Sequence, residues 1–80
     1  MPLFYIDLIN GAGSWQDDEG YELSDLAAAF DEARSSARDL MASDIREGKP
    51  LGLSRVFRIR EEGGAEVGSV RFSEVIPSDI

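Results

Sequence analysis

The sequence predicts an α+β domain of order β–β–α–β–β: an antiparallel sheet of two hairpins with one long amphipathic helix packed on one face. Three observations predict it. Aromatic and branched side chains cluster at residues 3–9, 53–60 and 66–72, each short enough for a strand. Residues 24–47 repeat apolar positions at steps of three and four. Glycine-bearing stretches at 10–14 and 61–65 fall where hairpins must reverse. A helix laid on one face of an antiparallel sheet satisfies both periodicities.

The first strand is LFYIDLI, residues 3–9. Phe4, Ile6 and Leu8 share one face. Leu3, Tyr5, Asp7 and Ile9 share the other, and Asp7 marks that face as at least partly exposed. Asn10 to Ser14 forms a turn, and Trp15 and Gln16 begin a short return strand. Asp17 to Gly20 is a second turn leading through Tyr21, Glu22 and Leu23 to the helix. Leu26, Phe30, Ala33, Ala37, Leu40, Met41 and Ile45 make the expected buried stripe. Ser24 is the expected N-cap, with Asp25 at the first helical position and Leu23 stapled on Ala28; Asp25 is the alternative cap. Gly48 and Pro50 end the helix. In the second hairpin Leu53, Phe57 and Ile59 point one way and Val56, Arg58 and Arg60 the other, with Arg55 at the strand's start. Val70 and Phe72 share one face of the return strand; Val67, Ser69 and Arg71 share the other. Val75 and Ile76 are expected at the core's edge. The whole of residues 1–80 reads as one domain, with 77–80 a frayed tail. Strand order is left open.

Charge is unevenly laid out. The net charge is -8, and residues 1–33 carry Asp7, Asp17, Asp18, Glu19, Glu22, Asp25, Asp31 and Glu32 with no Lys or Arg. Such a surface favours solubility and repels bare nucleic acid and anionic membrane. With no cysteine and no histidine, the chain lacks thiolate chemistry, the usual neutral-pH acid–base group and the commonest metal ligand. No apolar run reaches the roughly 20 residues of a membrane span. The N-terminus has no basic stretch before its apolar run, so no signal peptide is expected and the predicted location is cytoplasmic.

The acidic segment DDEGYELSDL is the first candidate site. An EF-hand loop beginning at Asp17 would need glycine at its sixth position and glutamate at its twelfth, where Glu22 and Ala28 stand. Asp17 and Asp18 suit turn positions instead. Glu19 and Glu22 have no such duty and are candidate partner contacts; a carboxylate metal site at residues 17–22 is the less favoured reading. Gly11-Ala12-Gly13 lacks the spacing of a phosphate loop. Arg58, Arg60 and Arg71 can share a sheet face, which could hold nucleic acid or a phosphate ligand, or pair with carboxylates across strands. Tyr5 and Trp15 complete the set as aromatic contacts.

The N-terminal half resembles a small uncharacterised family common in alpha-proteobacteria such as rhizobia. Its motifs read here as Met1-Pro2-Leu3-Phe4-Tyr5-Ile6-Asp7-Leu8, then Asp17-Asp18-Glu19-Gly20-Tyr21-Glu22-Leu23, then Asp25-Leu26. The resemblance covers residues 1–47 and implies no activity; members often carry histidine where Asp7 stands. A weaker likeness is to antitoxin-type modules, where an acidic hairpin-and-helix unit meets a basic toxin. The resulting expectation is a small non-enzymatic cytoplasmic protein-binding or regulatory domain without cofactor. Its partner would be another protein or a second copy, with nucleic acid disfavoured and no membrane. Binding of nucleic acid or a phosphate ligand through Arg58, Arg60 and Arg71 is the alternative.

Overall fold

The computed structural model describes residues 1–11 and 13–76. The expected α+β architecture is present: β1 (Leu3–Asn10), β2 (Gly13–Trp15), β3 (Tyr21–Glu22), α1 (Leu26–Arg46), β4 (Val56–Glu61) and β5 (Glu66–Arg71), then a 3-10 turn at Phe72–Glu74. The antiparallel sheet runs β2–β1–β4–β5, and β3 pairs the same edge of β1 as β2 does. β1 and β4, distant in sequence, thus form the sheet's centre, with Asp7 opposite Arg58 and Tyr5 opposite Arg60. The tail expected to fray, 77–80, lies outside the described residues.

α1 packs on β4 and β5. Its N-cap is Asp25, whose carboxylate accepts the Ala28 N–H at 2.9 Å, so the alternative frame holds and Ser24 lies outside the helix. At the other end Gly48, at φ 74°, closes a Schellman motif: Gly48 N–H donates to the Ile45 carbonyl and Lys49 N–H to Asp44.

The buried stripe differs from the one expected. Ala29, Ala33, Ala37 and Met41 face the sheet. Leu26 and Leu40 are exposed, Ile45 is 66% exposed, and Phe30 is half-buried. The reason is space. Phe4 and Phe57 from the sheet, and Phe72, which opens the 3-10 turn instead of continuing the return strand, already fill the interlayer, so the helix approaches along its smallest residues. Where Phe30 does point inward it lies on Gly68; a Cβ there would stand 2.4 Å from the ring.

Two further expectations are corrected. Leu53 and Arg55 precede β4, and Leu53 is 43% exposed. Arg55 instead clamps the helix end, donating to Asp44 at 2.6 Å and to the Gly52 and Leu51 carbonyls, with its guanidinium 4.5 Å from the Phe72 ring centre. In β5 a bulge shifts register between Ile59 and Arg60: Ile59 pairs Gly68 but Arg60 pairs Glu66. Val67 is the extra residue and packs against the core rather than joining Ser69 and Arg71. Val75 is buried at the core's edge, whereas Ile76 is 44% exposed.

Candidate functional site

The face of the sheet opposite α1 carries the chemistry. β1 contributes Leu3, Tyr5, Asp7 and Ile9; β4 contributes Val56, Arg58 and Arg60. Alternation puts Asp7 on this side, and it was expected to meet solvent, yet it is fully buried. Its cover is the acidic turn, which brings the Asp17 N–H to Asp7 Oδ1 at 2.9 Å, together with two arginines from β4. Arg60 is bidentate, Nε to Oδ2 at 2.6 Å and Nη2 to Oδ1 at 3.0 Å. Arg58 donates Nε and Nη2 to Oδ2 at 3.3 and 3.2 Å. The carboxylate therefore has charge-assisted partners at both oxygens, which a buried charge requires. Burial by itself pushes the Asp7 pKa up. The Arg60 hydrogen bonds, the Asp17 N–H, the Arg60 charge and Arg58 outweigh that, and the carboxyl lies below its ordinary value.

Asp17 supports the cluster from the other side. Its Oδ1 accepts the Glu19 and Gly20 N–H groups, closing the turn, and its Oδ2 accepts Ile6 N–H at 3.1 Å. That last bond satisfies β1's edge in the gap between β2 and β3. The far edge of the sheet is capped likewise: Glu74 Oε1 accepts the Arg71 N–H at 3.2 Å and its Nε at 2.8 Å. The outer strands on one side, β2 and β3, are three and two residues long, and β5 on the other is bulged; short edge strands and bulges both blunt strand addition.

The predicted contact residues divide. Tyr5, Arg58 and Arg60 come together, with the Arg60 guanidinium 5.0 Å from the Tyr5 ring centre. Arg71, on the same face, is committed to Glu74. Glu22, opposite Leu3, lies at the corner of this face, and Glu19 is exposed in the turn. Trp15, opposite Leu8, points to the helix side and is 57% exposed. Asp7 and Asp17 were not among the predicted contact residues. The available signal was a lone carboxylate in an apolar strand facing a second strand with arginine at alternate positions.

The arrangement can hold a rigid polar centre between half-buried apolar residues. It offers no free arginine pair for a phosphate, since Arg58 and Arg60 converge on one carboxylate. Among the described residues no three acidic side chains converge as a metal site. The turn residues Gln16 to Tyr21 do line an open hollow of about 410 Å³. No described helix is long and apolar enough to cross a membrane.

No curated protein and no solved structure matches the chain. One family model does, spanning residues 3–73 and so taking in every residue of the Asp7–Asp17–Arg58–Arg60 cluster; the chain belongs to that family, the domain of unknown function DUF6894.

Proposed function

We propose that this domain is a non-enzymatic cytoplasmic docking module whose helix-free sheet face receives another protein. The supporting observation is that, among the described residues, only the turn holding Asp17 reaches over this face, beside Asp7, and the face presents half-buried Tyr5, Ile9 and Val56 around a hydrogen-bonded Asp7–Arg58–Arg60 centre. A rigid aromatic beside an ordered arginine is the kind of anchor that dominates protein interfaces. The blunted edges favour contact through the face over strand pairing. Absence of cysteine and histidine, and an Asp7 carboxyl held low instead of near neutrality, support a non-catalytic role. The antitoxin-type likeness of the sequence suggests one form of such docking, in which the acidic first half meets a basic protein.

Photo-crosslinking in cells tests this reading. A photoreactive residue at Tyr5 or Val56 is expected to give a discrete protein adduct, and one at Ser35 on the outer face of α1 is not. An adduct with a second copy would make the module a homodimer. Adducts arising only from Ser35, or from neither position, would refute the docking face.

A further inference from the structure

Asn10 is the chain's only asparagine, and Gly11 follows it. Both are exposed at the tip of the β1–β2 hairpin, where Asn10 pairs Gly13. A Cβ built on Gly11 would meet nothing within 4 Å, so the chain is open on that side. Gly11 has φ 57°, a conformation that glycine adopts without the penalty a side chain brings.

The pair carries chemistry of its own. A bond between the Gly11 backbone nitrogen and the Asn10 Cγ closes a five-membered ring. The nitrogen attacks the carboxamide carbon and gives up its proton, and ammonia leaves from Cγ. The product is a cyclic imide. Water then opens the ring at either carbonyl. Opening at Cγ leaves aspartate. Opening at the backbone carbonyl leaves isoaspartate, with the chain running through Cβ. The balance is one water consumed and one ammonia released, and no oxidant or cofactor takes part.

We propose that Asn10–Gly11 is a site of spontaneous deamidation, and that its isoaspartyl product detaches β2 from β1. The inference is independent of the docking reading. Strand pairing holds Asn10 extended, which turns the Gly11 nitrogen away from Cγ, so the reaction runs through opened hairpin tips. Opening is easy here. β2 is three residues long, with Ser14 and Trp15 exposed, and such tips open at far less cost than a core. In the product, one added backbone methylene sits in the turn that sets Asn10 against Gly13, Ile9 against Ser14 and Leu8 against Trp15. The change passes along the chain to Asp17, whose N–H covers Asp7.

Incubating the intact folded protein at neutral pH and physiological temperature tests this. Exchange of ammonia for water raises the intact mass by about 1 Da, and a single asparagine makes that gain report a single site. Peptide mapping should place it at Asn10 as two products, with the isoaspartyl form in excess. The folded protein is expected to convert about tenfold more slowly than the protein in urea, because local opening gates the reaction. Gly11→Ala in urea, where the turn plays no part, is expected to convert at least about tenfold more slowly than the unsubstituted chain, its methyl hindering the nitrogen. In the isoaspartyl fraction, amide shifts should change through β2 and as far as Asp17. Asn10→Asp, which adds the charge without the methylene, should change only the tip. A folded sample that gains no mass while the urea sample converts would overturn the site. Equal rates for Gly11→Ala and the unsubstituted chain in urea would overturn Gly11 as the attacking residue. An isoaspartyl fraction whose spectrum matches Asn10→Asp would overturn the detachment of β2.

Discussion

Replacing Asp7 by Asn isolates the ionic centre of the sheet, because shape is kept while charge is lost. With the amide oxygen kept towards the Asp17 N–H, the NH2 group stands where Oδ2 accepted Arg58 Nε, Arg58 Nη2 and Arg60 Nε. Three donors then face a donor. Breaking a buried pair costs about 3–5 kcal/mol when the remaining charge cannot reach water. Arg58 and Arg60 keep 29% and 20% of their side-chain exposure, so hydration recovers part of that, and we expect a loss of about 2–3 kcal/mol. An 80-residue domain has roughly 4–12 kcal/mol in all. The melting temperature should therefore fall by about 10–20 °C. Urea unfolding followed by far-UV circular dichroism measures the loss, and an unchanged m-value would show that the unfolded state is not what moved. A loss below about 1 kcal/mol would refute the reasoning, because it would mean the cluster behaves as a solvated surface pair.

Acid should reveal the same group. The folded Asp7 carboxyl lies below its ordinary value, so its contribution is complete above the unfolded pKa near about 3.9 and is lost as pH falls through the lower folded value; Asp7→Asn should flatten that part of the stability–pH curve in urea titrations. At the helix start, Asp25→Ala should cost about 1 kcal/mol and Ser24→Ala almost nothing, since Asp25 holds the Ala28 N–H; equal losses by thermal melting would contradict the cap assignment. Gly68→Ala should destabilise by about 1–3 kcal/mol, because the new methyl meets Phe30. Co-substitution of Phe30→Leu should restore part of it, and no recovery in a double-mutant cycle would show that the strand backbone, not the ring, sets the cost.

How much was legible follows from the range of each interaction. Strand and helix periods are local properties, so the two hairpins flanking one helix and the Gly48 stop could be read directly, whereas the two-residue strand Tyr21–Glu22, too short to show a period, could not. Asp17's turn role was legible too, because its partners Glu19 and Gly20 are two and three residues away. Its bond to Ile6 was not, and neither was the burial of Asp7, whose arginines lie more than fifty residues along the chain. Alternation says which face a side chain leaves from, not what later covers it.

The sequence by itself determined the fold class, the acidic first half and the absence of thiol and imidazole chemistry. Only the tertiary structure decided which residues touch. Pairing β1 with β4 placed Arg58 and Arg60 over Asp7, and the phenylalanines of the sheet and the 3-10 turn left room only for the alanine side of α1. The bulge at Val67 turned that residue to the core side of the sheet, where it is half-buried. Each outcome depends on volume and charge contributed by a partner element, and no window along the chain contains both halves of such a contact.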